Sequence, residues 1–94
     1  MSDKYSAGFL GSPSILISGS SQELVDPGVS FHKFSFYNHQ ECTISINGSE
    51  PIFLVAKQGF SSDRHDKLIS SFIINESGVP FNWIGAIKYV TITK

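Results

Sequence analysis

The densest group of titratable residues in the chain is the run Asp63-Arg64-His65-Asp66. Two carboxylates and an imidazole this close together have the chemistry of a general acid–base pair or of a metal site. That chemistry needs a concave site and a shell of neighbours that orients each group. This run instead belongs to the most polar stretch of the sequence, residues 61–67, between two predicted strands. We therefore interpret it as an exposed loop, whose mixed charges could form salt bridges with another subunit.

The remaining histidines and the single cysteine also lack the spacing of a metal site. His39 and Cys42 are three residues apart, but no second pair of this kind completes four zinc ligands. Cys42 continues the apolar side of a predicted strand, which favours a buried, unreactive thiol. The sequence has no G-x-S-x-G, P-loop or G-x-G-x-x-G motif. We therefore predict no enzymatic activity, no cofactor and no bound metal.

The amino-acid composition and the charge of the chain favour some classes of binding partner over others. The chain has 94 residues, the length of one domain, and its 16% of charged residues lie well below the roughly 25% of an average protein. Its net charge is −1 and its cations are scattered, which disfavours nucleic acid. The longest apolar run, residues 52–56, is far shorter than a membrane helix, and the N-terminus lacks a signal sequence. We predict a protein made in the cytoplasm, with a weakly charged surface suited to packing against other subunits.

Short alternating segments separated by turn residues fill most of the chain. The clearest is a hairpin in which residues 42–46 form one strand, Asn47-Gly48-Ser49-Glu50-Pro51 turns the chain, and residues 52–56 return. The other predicted strands cover residues 14–18, 23–25, 31–37, 68–74, 79–84 and 86–93, with a break at Gly85. About seven short strands at this spacing predict an all-β fold, an antiparallel β-sandwich or alternatively a small β-barrel.

The domain boundary is predicted after residue 13. Residues 1–13 are rich in Ser, Gly and Pro and form an extended N-terminal arm, whereas residues 14–94 form a single β domain. The arm nevertheless contains the apolar residues Tyr5, Phe9 and Leu10. Two explanations stay open: the arm frays or folds back on its own core, or it docks on a neighbouring subunit.

The aromatic residues outnumber those that one thin core obviously needs. Strand alternation places Phe34 and Phe36 inside, with Phe31 and Tyr37 outside. Outward aromatics are covered by the protein's own loops, bury against neighbouring subunits, or stack on sugar rings. Residues 52–56 are apolar on both sides, which also indicates a covering partner. The candidate partner-binding residues are Tyr5, Phe9, Leu10, Tyr37, Phe53, Trp83 and Tyr89.

About half of the chain resembles small β-sandwich virion proteins of tailed bacteriophages. The segments that carry the resemblance are Phe34-Ser35-Phe36-Tyr37-Asn38, residues 42–48, 51–54, 58–60 and 71–74, and Phe81-Asn82-Trp83-Ile84-Gly85. It implies a non-enzymatic structural protein of the virion, assembled in the host cytoplasm: an auxiliary protein decorating the capsid surface, or a head-fibre or tail component. Its partners would be capsid or tail subunits or copies of itself. The alternative is a carbohydrate-binding module that uses exposed aromatics to bind a glycan.

Overall fold

The computed structural model describes residues 8–63 and 67–90, with residues 88–90 described as backbone only, and this part of the chain is all-β. It contains no helix that could cross a membrane. The strands are β1 (Phe9–Gly11), β2 (Leu16–Ile17), β3 (Gln22–Glu23), β4 (Val29–Asn38), β5 (Cys42–Ile46), β6 (Ile52–Leu54), β7 (Phe60–Ser62), β8 (Phe72–Ile74) and β9 (Pro80–Val90). They form two antiparallel sheets, which confirms the predicted sandwich.

The two longest strands organise the larger sheet. In this five-stranded sheet β4 pairs along most of one side of β9, and β7 pairs with the other side of β4. The opposite side of β9 is shared by β1, which faces residues 84–86, and β2, which faces residues 80–81. The four-stranded sheet has the order β3-β8-β5-β6. Both sheets turn their apolar residues towards each other.

Phenylalanine side chains join the two sheets. Phe72 of β8 lies between Phe34 and Phe36 of β4, with each pair of ring centroids 4.8 Å apart. All three rings are buried, as are Ile44 and Ile74. Alternating strands produce this arrangement because every second residue of a strand points to the same side of the sheet. The core thus fixes which residues of β4 and β9 face solvent.

The prediction for Phe31 is wrong, because β4 contains an irregularity. Phe31 is fully buried, although simple alternation from Phe34 would place it outside. The register between β4 and β9 shifts on both sides of Phe31. The backbone of Phe31 instead exchanges hydrogen bonds with Ile69, at N···O distances of 2.9 and 2.8 Å. This bulge turns Phe31 into the core together with Phe34.

The predicted break at Gly85 is also wrong, since β9 runs through it without interruption. Gly85 lies under the ring of Phe31, and a Cβ atom at this position would be 2.5 Å from Cδ1 of that ring. The glycine therefore serves close packing inside a strand and does not mark a turn.

Two strands occupy segments predicted to be irregular. β1 belongs to the predicted arm, but it pairs with β9 of the same molecule, with Phe9 opposite Ala86. β7 covers residues predicted as turn and loop, and it pairs with β4, with Ser61 opposite Ser35. The described end of the arm thus folds back on its own sheet. The charged residues 64–66 and Tyr5 lie outside the described residues.

The hairpin between β5 and β6 is confirmed, with Thr43 opposite Phe53. Asn47 and Gly48 have φ values of 51° and 79°. The amide of Ser49 donates to the carbonyl of Ile46 at 2.9 Å. Two consecutive positive φ angles inside such a bond are typical of the type I′ turn that the Asn-Gly pair predicts.

Candidate functional site

The most distinctive surface of the molecule is the solvent side of the five-stranded sheet, here called the outer face. Eight large hydrophobic side chains are exposed in the described part of the chain. Five of these eight lie on the outer face, and the other three lie at β6. The five that define the outer face are Phe9, Ile15, Ile17, Tyr37 and Ile84. Single exposed apolar residues are common on proteins, but a gathered set indicates an interaction surface.

A row of small residues makes Ile84 a ridge on this face. In the register of the sheet, Ile84 of β9 lies between Gly11 of β1 and Ser35 of β4, and Ser61 of β7 follows. A Cβ atom on Gly11 would be only 2.7 Å from the carbonyl oxygen of Trp83, so a side chain cannot be added there without movement. Ile84, which is 54% exposed, therefore stands above its neighbours with a hollow on each side.

The first hollow, called the Phe9 hollow, has a volume of about 370 Å³. It lies between Phe9 and the Ile84 ridge, and Ala86 contributes to its apolar floor. Lys33 of β4 and Asp63, the residue that follows β7, both line it. Its charge is therefore balanced locally, and its central surface is apolar.

The second hollow, called the Tyr37 hollow, has a volume of about 510 Å³ and a more polar lining. Tyr37 of β4 lies directly opposite Asn82 of β9 in the sheet. The ring of His39 meets the Tyr37 ring edge-on, with centroids 4.8 Å apart. His39 Nε2 is also 2.8 Å from Oδ1 of Asn82. The far wall is made by Ser12, Pro13, Ser14 and Ile15 of the segment between β1 and β2.

A second apolar surface, called the β6 edge, consists of Ile52, Phe53 and Val55. Their side chains are 44%, 56% and 53% exposed, whereas Leu54 between them is buried. β6 is the last strand of the four-stranded sheet. The sequence predicts that this segment is apolar on both sides. Within the described part of the chain, no other element covers these three residues.

The predicted partner-binding residues fall in different places. Phe9 and Tyr37 lie on the outer face, and Phe53 lies on the β6 edge. Leu10 is half-buried and packs against the core. Trp83 also packs against the core, with its ring stacked on Phe34 at a centroid distance of 5.5 Å.

Two further candidates give less information. Tyr89 belongs to β9 and pairs with Ser30, but its side chain is outside the described residues, as is all of Tyr5. The sequence-based prediction omitted three residues of the outer face, Ile15, Ile17 and Ile84. The sequence carries a signal for Ile84, because it alternates with Phe81 and Trp83 in the predicted strand 79–84 and therefore lies on the other side of the sheet.

Two titratable groups outside the outer face, Cys42 and Glu76, have pKa values that are shifted by their surroundings in the fold. Burial foremost, and then the negative charge of Glu76, raise the pKa of Cys42 to about 11, so this thiol is protonated at neutral pH. Partial burial raises the pKa of Glu76, but hydrogen bonds outweigh that effect and lower the pKa overall. The strongest of these come from the backbone amide and hydroxyl of Thr43, at 2.8 and 2.7 Å.

Within the described residues no group of three or more His, Cys, Asp or Glu side chains could hold a metal ion. The chain matches no protein-family model, and no curated protein or solved structure is significantly similar to it.

Proposed function

We propose that this protein is a non-enzymatic structural protein of a phage virion that binds a capsid or tail subunit through its outer face. The observation that carries the proposal is the gathering of five exposed apolar side chains on one side of the five-stranded sheet. The resemblance of the sequence to phage β-sandwich proteins supports the virion as its location. Such a protein is an auxiliary component on the capsid surface or a part of a head fibre or tail.

The size of the outer face suits a protein partner. Its five apolar side chains expose on the order of 500 Å², near the upper end of the largest patch of a typical monomer. A stable interface buries about 800 Å² on each partner, so the polar border around these residues must also take part. An apolar centre with a polar border is the usual composition of a protein–protein interface.

The charges around the Phe9 hollow favour the same class of partner. Lys33 and Asp63 are the two charged residues of its lining and have opposite signs, so the hollow offers no cluster of cations for phosphates. Charged residues are depleted at the centres of protein interfaces and tolerated at their borders. Ile84 and Phe9, which are 54% and 63% exposed, are the side chains positioned to insert into a partner.

The test is direct binding to purified capsid and tail proteins of the phage whose genome encodes this chain, measured by calorimetry or co-sedimentation. Phe9→Glu should weaken binding by about a hundredfold, because a desolvated charge would replace an apolar contact. Phe53→Glu is the matched control, since it makes the same change at a phenylalanine of similar exposure on the β6 edge.

Loss of binding in the Phe9 variant alone supports the outer face as the docking surface. Loss in the Phe53 variant alone would move the docking surface to the β6 edge. If the wild-type protein binds neither capsid nor tail subunits, the proposed function is wrong. Both substitutions lie at exposed positions, so the variants should keep the thermal stability of the wild type.

A further inference from the structure

We infer that the Tyr37 hollow is a binding site for a neutral sugar, recognised as one ring of a glycan by stacking on Tyr37 and hydrogen bonding to Asn82. The Tyr37 hollow lies within the outer face, so a bound sugar and a docked subunit compete for Tyr37 and Ile15, whereas Phe9 lies beyond the Ile84 ridge and contributes to docking only. The two hollows share Ile84 and Ser35 but differ in the chemistry of their other residues.

The Tyr37 side chain supplies an aromatic surface held in a defined orientation. It lies on the outer face, 37% exposed, and His39 supports it by an edge-on ring contact at 4.8 Å. An aromatic ring presents an apolar face and, in tyrosine, a polar hydroxyl at its end. Sugars carry the complementary pattern, since the C–H groups on one face of the ring are apolar and the hydroxyls on its border are polar.

Asn82 supplies oriented hydrogen-bond donors beside that ring. It stands opposite Tyr37 in the register of β4 and β9, on the same side of the sheet. Its Oδ1 atom is 2.8 Å from Nε2 of His39. When this ring nitrogen carries the proton and donates, the amide oxygen is occupied and the NH₂ group of Asn82 is directed towards a ligand. His39 therefore positions both the aromatic ring and the amide.

The rest of the lining selects the class of ligand. The described residues around the hollow include the hydroxyls of Ser12 and Ser14 and the apolar side chains of Pro13 and Ile15, and none of the lining residues carries a charge. An uncharged lining favours a neutral ligand over a phosphate, a carboxylate or an amine. The volume of about 510 Å³ lies within the range of small-molecule sites, roughly 300–1,000 Å³, and accommodates one sugar ring with space beside it.

The test is saturation-transfer NMR on the full chain with methyl glycosides of glucose, galactose and mannose and with N-acetylglucosamine. At least one of these sugars should receive saturation at its ring C–H protons, with a dissociation constant of about 1–10 mM, as expected for a shallow site. Tyr37→Ala should weaken binding at least about tenfold because the stacking surface is lost. Tyr37→Phe keeps the ring and should retain most of the binding.

Two controls keep the result interpretable. Phe9→Ala removes an exposed ring from the other hollow and should leave sugar binding unchanged. Asn82→Leu should weaken binding while preserving the fold, which the amide spectrum and the fluorescence of Trp83 report. The inference is overturned if none of the four sugars receives saturation at about 10 mM, or if Tyr37→Ala binds as well as the wild type.

Discussion

The Asn38 side chain offers the sharpest test of how this fold is held together. Asn38 is fully buried at the end of β4. Its Nδ2 group donates to the carbonyls of Gln40 and Val55, at 2.9 and 2.8 Å. Its Oδ1 atom accepts from the amide of Gly59 at 2.8 Å. One amide thus ties the connection between β6 and β7 to the neighbouring sheet.

The substitution Asn38→Ala removes all three hydrogen bonds. Each contributes about 1 kcal/mol net, and a buried group left without a partner costs about 1–3 kcal/mol. The carbonyl of Val55 keeps the amide of Gln58 as a donor at 3.1 Å, whereas the half-buried amide of Gly59 loses its only described acceptor. We therefore expect the free energy of unfolding to fall by about 3 kcal/mol.

The substitution Asn38→Asp tests whether the hydrogen bonds of Asn38 or the shape of its side chain determine the stability of the fold. An aspartate keeps the acceptor for Gly59 but turns a carboxylate oxygen towards the carbonyls of Gln40 and Val55. A buried carboxylate facing two acceptors is unfavourable. At pH 7 we therefore expect Asn38→Asp to be at least as destabilising as Asn38→Ala, although it is the closer match in shape.

Urea denaturation followed by the fluorescence of Trp83, the only tryptophan, measures both changes. A loss of about 3 kcal/mol shifts the midpoint by about 2 M urea for a domain of this size. Asn82→Ala is the control, since that side chain is exposed and should cost less than about 0.5 kcal/mol. The reasoning fails if Asn38→Ala costs under about 1 kcal/mol, or if Asn38→Asp is the more stable of the two variants.

Three further variants or treatments test other contacts. Gly85→Ala would bring a Cβ within 2.5 Å of the Phe31 ring, so it should cost about 2–3 kcal/mol in urea denaturation. Gly19→Ala, where the nearest atom is 3.8 Å away, should be close to neutral, and equal losses at both positions would contradict the packing argument. Folding lowers the pKa of Glu76, so its carboxylate stabilises the fold above its ordinary pKa and loses that contribution as the pH falls through the folded pKa. Glu76→Gln should therefore reduce stability at pH 7 by more than at acidic pH, and a deficit that stays the same as the pH falls would refute this. Cys42, with a pKa of about 11 and 3% exposure, should react with a disulfide reagent at pH 8 at least about a hundredfold more slowly in the native protein than in urea; similar rates would show that the thiol is accessible.

The parts of the fold that the sequence predicts well are local. β5 has the predicted bounds, Cys42–Ile46, because its alternation and the following Asn47-Gly48 turn are encoded within a few residues. β1 and β7 could not be predicted in this way. Their residues are strands because β9 and β4, distant in sequence, offer them a free side to pair with.

The candidate site could be predicted only where the local strand pattern determines which side chains are exposed. Tyr37 and Phe53 are exposed, as the alternation of their strands predicts, whereas the sequence left the position of Phe9 open. Trp83 contributes to the lining of the Tyr37 hollow, but its ring packs against the core on Phe34. The hollows themselves depend on the cross-strand neighbours of Ile84, which a single sequence does not specify.

The bulge in β4 links the core to the outer face. With uninterrupted alternation, Phe31 would lie beside Lys33 on the solvent side and would add a ring to the Phe9 hollow. Hydrogen bonds to Ile69 instead turn Phe31 inward, and its ring packs on Gly85. Any residue with a Cβ atom at position 85 would clash with this ring. The irregularity therefore supplies the core with an aromatic ring while leaving an open hollow beside Ile84. Bulges commonly redirect side chains next to functional sites, and this one determines which side chains of β4 a partner can reach.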